Sequence, residues 1–251
     1  MKISVVTATF NSARTVRDTL ESVLRQTYPD VELIVKDGGS TDGTLDICRE
    51  YEPRFEGRMR ILSGPDKGIY DAMNQGIEAA TGDVVGLLNS DDFYSADDIL
   101  AVVAATLAET GCDAVYGDIH FISDKDLTRP IRYYSSAGFR RERMMQGWMP
   151  AHPSFYCRRD IYLKFGLFDT SFPVAADFEQ LLRLIYIRGI STRYIARDFV
   201  TMRIGGSSTK SLGSRIQIMK DHLRAFRKNG IPNNALRLSS RYLSKVFEYF
   251  R

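Results

Sequence analysis

Ile3-Ser4-Val5-Val6-Thr7-Ala8-Thr9-Phe10-Asn11-Ser12 is an apolar, β-branched run that stops on two small polar residues, the pattern of a buried strand emptying into a turn. Three further runs repeat the form: 31–37 (VELIVKD), 59–63 (MRILS) and 84–89 (VVGLLN). Helical spacings lie between them. Val16, Leu20, Val23 and Leu24 recur at one-face intervals behind Asn11-Ser12, which are expected to cap that helix. A shorter pattern follows Asp42, and another covers 70–80. Strand and helix alternating over short connections predict an α/β fold, a mostly parallel Rossmann-like sheet flanked by helices. Beyond about residue 113 the alternation weakens. There 114–122 is strand-like, 129–148 is rich in Arg and Met, and 178–187 has helical periodicity.

The 251 residues, 44% hydrophobic and 26% charged, suffice for one large domain with a substantial core. The expected division is a catalytic domain over 1–206, with parts 1–112 and 113–206, then a basic helical extension over 207–251. The stretch Gly205-Gly206-Ser207-Ser208-Thr209-Lys210 is the expected hinge. Residues 207–251 carry ten Lys or Arg against two Asp or Glu, so the tail is +8 and the remainder −5. No run approaches the roughly 20 apolar residues needed to cross a bilayer, and because Met1-Lys2 runs directly into strand-like sequence no signal peptide is expected. Cys48, Cys112 and Cys157 are too scattered for a disulfide framework or a zinc cluster. A cytoplasmic protein is expected.

Ligands of open parallel α/β sheets bind beyond the carboxyl ends of the strands. Those positions hold Thr9 and Asn11, then Asp37, Asp66, and finally Asn89, Asp91 and Asp92. Asp and Asn also serve turns for backbone reasons alone. Four acidic or amide strand ends in succession go beyond that need, because gathered carboxylates repel one another without a cation. Asn89-Ser90-Asp91-Asp92 therefore suits a hard divalent ion, Mg²⁺ or Mn²⁺, that completes its shell with water and phosphate oxygens. No GxxxxGK[ST] loop is present, and Thr9-Phe10-Asn11-Ser12 replaces GxGxxG. Kinase, ATPase and dinucleotide-dehydrogenase readings fall accordingly.

Val5-Val6-Thr7-Ala8-Thr9-Phe10-Asn11, Val35-Lys36-Asp37-Gly38-Gly39-Ser40-Thr41-Asp42-Gly43-Thr44, Asp66-Lys67-Gly68-Ile69-Tyr70-Asp71-Ala72-Met73-Asn74-Gln75-Gly76 and Leu87-Leu88-Asn89-Ser90-Asp91-Asp92 together resemble glycosyltransferase family 2. The likeness runs over about residues 3–205. It implies a GT-A fold, a nucleoside-diphosphate-sugar donor with UDP the commonest choice, a metal-bound DxD-type motif and inversion at the anomeric carbon. It further implies that 1–112 binds the nucleotide sugar and 113–206 the acceptor. By position, Thr9 and Asp37 look like nucleoside contacts, Asn11 like a donor-binding residue, Asp66 like a donor-pocket contact, Lys67 like a diphosphate contact and Asp91 like the metal ligand. Asn89 departs from the family's first Asp, which suits a water or ribose contact on the donor side. Asp92 is expected to support the loop or the sugar.

Inverting transfer needs a base for the acceptor hydroxyl. Asp177, in Pro173-Val174-Ala175-Ala176-Asp177-Phe178-Glu179 at the start of a helical pattern, resembles the family's acceptor-side acidic motif. Its competing reading is a first-turn carboxylate favoured by the helix dipole. Trp148 and His152 are expected acceptor contacts, with core and loop packing as the alternatives. In the tail, Leu236, Leu243, Phe247 and Phe250 fall near one helical face and Arg237, Arg241 and Lys245 on another. That basic amphipathic helix suits peripheral attachment to the inner face of a membrane, or packing on the domain or a second subunit. The expected partners are a nucleotide sugar and a glycan or lipid-linked acceptor of cell-surface polysaccharide synthesis, with no nucleic acid. A sugar-1-phosphate nucleotidyltransferase and a non-catalytic nucleotide-sugar-binding subunit stand as alternatives.

Overall fold

The computed structural model describes residues 1–204 and 212–239. The expected hinge, 205–210, and most of the expected amphipathic helix, from 240 onward, lie outside the described residues. Strands β1 (Ile3–Thr9), β2 (Val31–Asp37), β3 (Met59–Ser63) and β4 (Val84–Leu87) form a parallel set in the order β3-β2-β1-β4. They alternate with helices α1 (Val16–Leu24), α2 (Thr44–Tyr51) and α3 (Ile69–Ala79). All seven residues of β1 and of β2 are buried, as expected for parallel strands covered on both faces. Alternate β1 side chains divide between two cores. Val6 and Ala8 join Ala72, Met73 and Ile77 of α3, whereas Ile3 and Val5 join Val16, Leu20 and Val23 of α1.

The second half extends the same sheet. After β5 (Phe93–Tyr94) and α4 (Ile99–Thr110) come β6 (Ala114–Ser123), β7 (Asp126–Tyr134), β8 (Tyr156–Arg158), α5 (Arg159–Phe165), α6 (Ala176–Leu181) and β9 (Thr192–Arg203). The sheet continues β4-β8-β6-β9-β5, with β7 paired to β6. Here parallel and antiparallel pairs mix, because β8 runs against both β4 and β6. The fold class is the expected α/β one. The expected Asn11-Ser12 cap is corrected: α1 starts at Val16 with no side-chain cap, and the Ser12 carbonyl accepts the Thr15 and Val16 amides.

Two glycines set close packing. A Cβ on Gly76 would lie 2.2 Å from Val6 Cγ1, so its absence lets α3 sit against β1. A Cβ on Gly86 would lie 2.1 Å from the Tyr156 ring, whose hydroxyl meets that of Tyr94 in the core. Helix α7 (Leu212–Lys228), set apart in the sequence reading as tail, contributes Ala225 and Phe226 to the α3 and α6 core.

Candidate active site

Parallel register decides which residues share an edge. Thr9 pairs with Asp37, and Asp37 with Ser63, so three strands end at one level. Asp37 is fully buried, and its carboxylate accepts hydrogen bonds from the Gly39 amide at 3.1 Å, the Ser40 amide and hydroxyl, and the Ser63 hydroxyl at 3.2 Å. The expected nucleoside contact is thus also the knot of the Gly38–Ser40 turn. Asn11 takes a positive φ of 49° that asparagine tolerates well. Its Oδ1 accepts the Thr41 amide at 2.9 Å and its own amide donates to Ser40, which ties the first loop to the second.

Lys36 was not singled out by sequence reading, although a lysine inside an apolar strand demands a partner. It is 2% exposed; its Nζ donates to the carbonyls of Asp37 and Gly64 at 2.7 and 2.6 Å and lies 3.5 Å from Asp66 Oδ2. Asp66, on the loop after β3, is thereby held against Gly38, where a Cβ would come within 2.6 Å of its carboxylate. The other Asp66 oxygen accepts the Gly68 amide. Phe10, 62% exposed, lies beside Gly38 and presents an aromatic face at this edge. Lys67 is exposed, with its amide on Asp71.

Just past β4, Asn89 Oδ1, both Asp92 carboxylate oxygens and the Thr9 hydroxyl are buried without a hydrogen-bond partner of good geometry. Burial pushes the Asp92 carboxyl well above the usual carboxylate range, the neighbouring Asp91 charge adds to this, and Arg203 and Asn89 oppose it. Burial also raises Asp91, with Asp124 adding and Arg203 opposing. Arg203, missed in the sequence, ends β9 and is 7% exposed. It donates to the Asp91 carbonyl at 2.7 Å, pairs with Asp18 of α1 and Asp124 of the β6–β7 turn, and lies over Phe93.

Such an all-oxygen set, short of partners and disfavoured as bare carboxylate, fits a hard divalent cation. Among the described residues no three His, Cys, Asp or Glu side chains gather around one point. Asp91 and Asp92 could therefore supply only part of a shell, which suits an ion shared with a diphosphate.

Asp177 is the second residue of α6, with Oδ1 accepting the Phe178 amide at 2.8 Å. Its Oδ2 lies 3.3 Å from His152 Nδ1, so two residues expected separately at the acceptor side meet. Tyr70, at the start of α3, donates to the Val174 carbonyl and links the Asp66 loop to this corner. Burial raises the Tyr70 hydroxyl, and the Asp177 charge adds to that. Asn74 exchanges two 2.9 Å hydrogen bonds with the Phe168 backbone. Trp148 is half-buried beneath the Arg143 guanidinium, 5.5 Å from the ring centre.

The sequence profile of the family described as Glycosyl transferase family 2 matches residues 4–166. The chain is 34% identical over 193 residues, 76% of its length and 73% of the other's, to a protein of Mycobacterium bovis (strain BCG / Pasteur 1173P2) named PGL/p-HBAD biosynthesis glycosyltransferase. The structure of S. aureus TarS 1-349 in complex with UDP-GlcNAc aligns with a TM-score of 0.70 at 19% identity, covering 90% of this chain and 66% of that one. The mannosyltransferase PcManGT from Pyrobaculum calidifontis, in complex with GDP-Man and Mn²⁺, aligns with a TM-score of 0.67 at 19% identity, covering 91% and 64%. This chain thus spans less than two thirds of each solved chain, and the likeness shows that its fold is GT-A.

Proposed function

Because this chain belongs to glycosyl transferase family 2 and is a glycosyltransferase, we propose that it moves a sugar, with inversion, from a UDP-sugar to the hydroxyl of a glycan or lipid-linked acceptor in cell-surface polysaccharide synthesis. The observation that carries the reading is the set of buried oxygens of Asn89 and Asp92, short of hydrogen bonds of good geometry, beside Asp91, at the edge where the Asp37 and Asp66 loops also end. The UDP choice draws support from the UDP-GlcNAc complex of TarS, and metal use from the Mn²⁺ complex of the mannosyltransferase. The acceptor class draws support from the curated relative named PGL/p-HBAD biosynthesis glycosyltransferase.

In this reading Thr9, Asn11 and the loop knotted by Asp37 hold the nucleoside, and the exposed Phe10 ring stacks on its base. Asp66, fixed by Lys36, faces the donor, and Lys67 meets the diphosphate. Asp91 would hold Mg²⁺ or Mn²⁺, with Asn89 toward water or ribose and Asp92 supporting the loop or the sugar; the ion supplies positive charge for the leaving diphosphate. Asp177 accepts the acceptor's proton, and Trp148 and His152 lie on the acceptor side.

The test is nucleoside diphosphate release from a panel of UDP- and GDP-sugars, with and without Mn²⁺ or Mg²⁺. Acceptor-dependent release that chelation abolishes is expected. Pyrophosphate release would instead make the chain a nucleotidyltransferase, and donor binding without release would make it a binding subunit.

A further inference from the structure

We propose that His152 is a positioning residue that acts through Asp177, an inference that rests on Asp177 being the base of the transfer. Three observations converge on it. First, His152 Nδ1 and Asp177 Oδ2 are 3.3 Å apart, within ion-pair reach, and the Phe178 amide donates to the other oxygen at 2.8 Å, so the imidazole lies beside the one carboxylate oxygen that the helix backbone leaves open.

Second, the two residues are delivered by separate rigid supports. The turn that His152 opens, 152–154, is pinned by Ser154, fully buried, which donates to the carbonyls of Gly117 and Ala151 and accepts the Gly117 amide. The start of α6 is pinned by Asp221 of α7, which accepts the Val174 and Ala175 amides at 3.2 and 3.1 Å, and by His222 stacked 3.8 Å from Phe178. Third, the pair stays wet enough to meet a substrate: the side chains are 28% and 15% exposed.

A histidine whose Nδ1–H donates to a carboxylate fixes that carboxylate's orientation and leaves its outward lone pair for a proton. In the transfer, the acceptor oxygen forms its bond to the anomeric carbon while the bond from that carbon to the diphosphate oxygen breaks. The electron pair leaves with the diphosphate, and the acceptor proton passes to Asp177. His152 gains and loses nothing in this step; its task is to keep Asp177 aimed.

The experiment joins a kinetic cycle to an activity-independent readout. His152→Ala is expected to lower kcat about 10- to 100-fold with donor Kd unchanged, and His152→Asn, whose amide donates from near the Nδ1 place, to recover most of the loss. In an Asp177→Asn background, His152→Ala should cost less than about twofold more, because residues acting as a unit are not additive. Losses that multiply would assign His152 an independent acceptor contact and overturn the proposal. Separately, ¹⁵N resonances of the His152 ring should report Nδ1–H in the wild-type protein and change in Asp177→Asn; identical spectra would overturn the pairing itself. Absence of any transfer by the wild-type chain would sink the functional reading alone, since the ring spectra still decide the pair.

Discussion

Asp37 and Asp177 are two carboxylates held in different ways. Asp37 is closed in by its own turn, whereas Asp177 keeps a partly exposed face beside His152. Asp177→Asn should slow transfer by about 10²- to 10⁴-fold while leaving donor affinity in place, which steady-state kinetics beside UDP calorimetry will check; an equal loss of donor affinity would remove the base assignment. Phe10→Ala should weaken nucleotide binding by about 1 kcal/mol, roughly fivefold in Kd, with little change in thermal stability, because the ring is already in water. Asp37, Asp66 and Asp91 stood out in the sequence because acidic residues after apolar runs are conspicuous, and Asp177 because its segment resembles the family's acceptor-side acidic motif. Lys36 and Arg203 did not. Each neutralises carboxylates contributed by distant segments, and no local pattern announces a partner 30 or more residues away, as with Lys36 and Asp66.

At the scale of elements, the helices after β1, β2 and β3 followed from periodicity, since one apolar stripe on a covered sheet leaves a 3.6-residue repeat. Helix α4 shows almost no stripe, ILAVVAATLAET being apolar nearly all round, and the sequence reading passed it by. Strand β7 lay hidden in the Arg-rich segment because it is an exposed edge with few buried positions. Helix α7 braces the start of α6, which carries the proposed base. Removing its carboxylate in Asp221→Ala would leave the Val174 and Ala175 amides unsatisfied at the entrance to α6. A stability loss of about 1–3 kcal/mol is expected in urea unfolding, together with a fall in kcat larger than any change in donor Kd. Unchanged kcat at full folding would show that α7 does not hold the base helix.

Across the whole molecule, the edge of the sheet opposite the site carries its own lock. Glu32 of β2 is 5% exposed. Burial alone would raise its carboxyl, yet bonds from Ser4, the Thr81 amide, Lys2 and the Thr81 hydroxyl bring it from 4.5 down to about 2. A depressed folded-state value stabilises the protein above the unfolded-state value, and that contribution drains away as pH falls from about 4.5 toward 2. Denaturant midpoints should therefore drop steeply over that window in the wild-type protein and less steeply in Glu32→Gln, which should also be less stable at neutral pH. Parallel slopes would exclude Glu32 as a source of acid lability. The sequence by itself determined the alternation of strand and helix, the acidic strand ends and the family, because buried periodicity and turn chemistry are local. Only the tertiary structure decided that Thr9, Asp37 and Ser63 end level, that Lys36 and Arg203 balance the carboxylates, and that His152 meets Asp177. Those outcomes depend on strand register and helix docking, which join segments that carry no trace of one another in sequence.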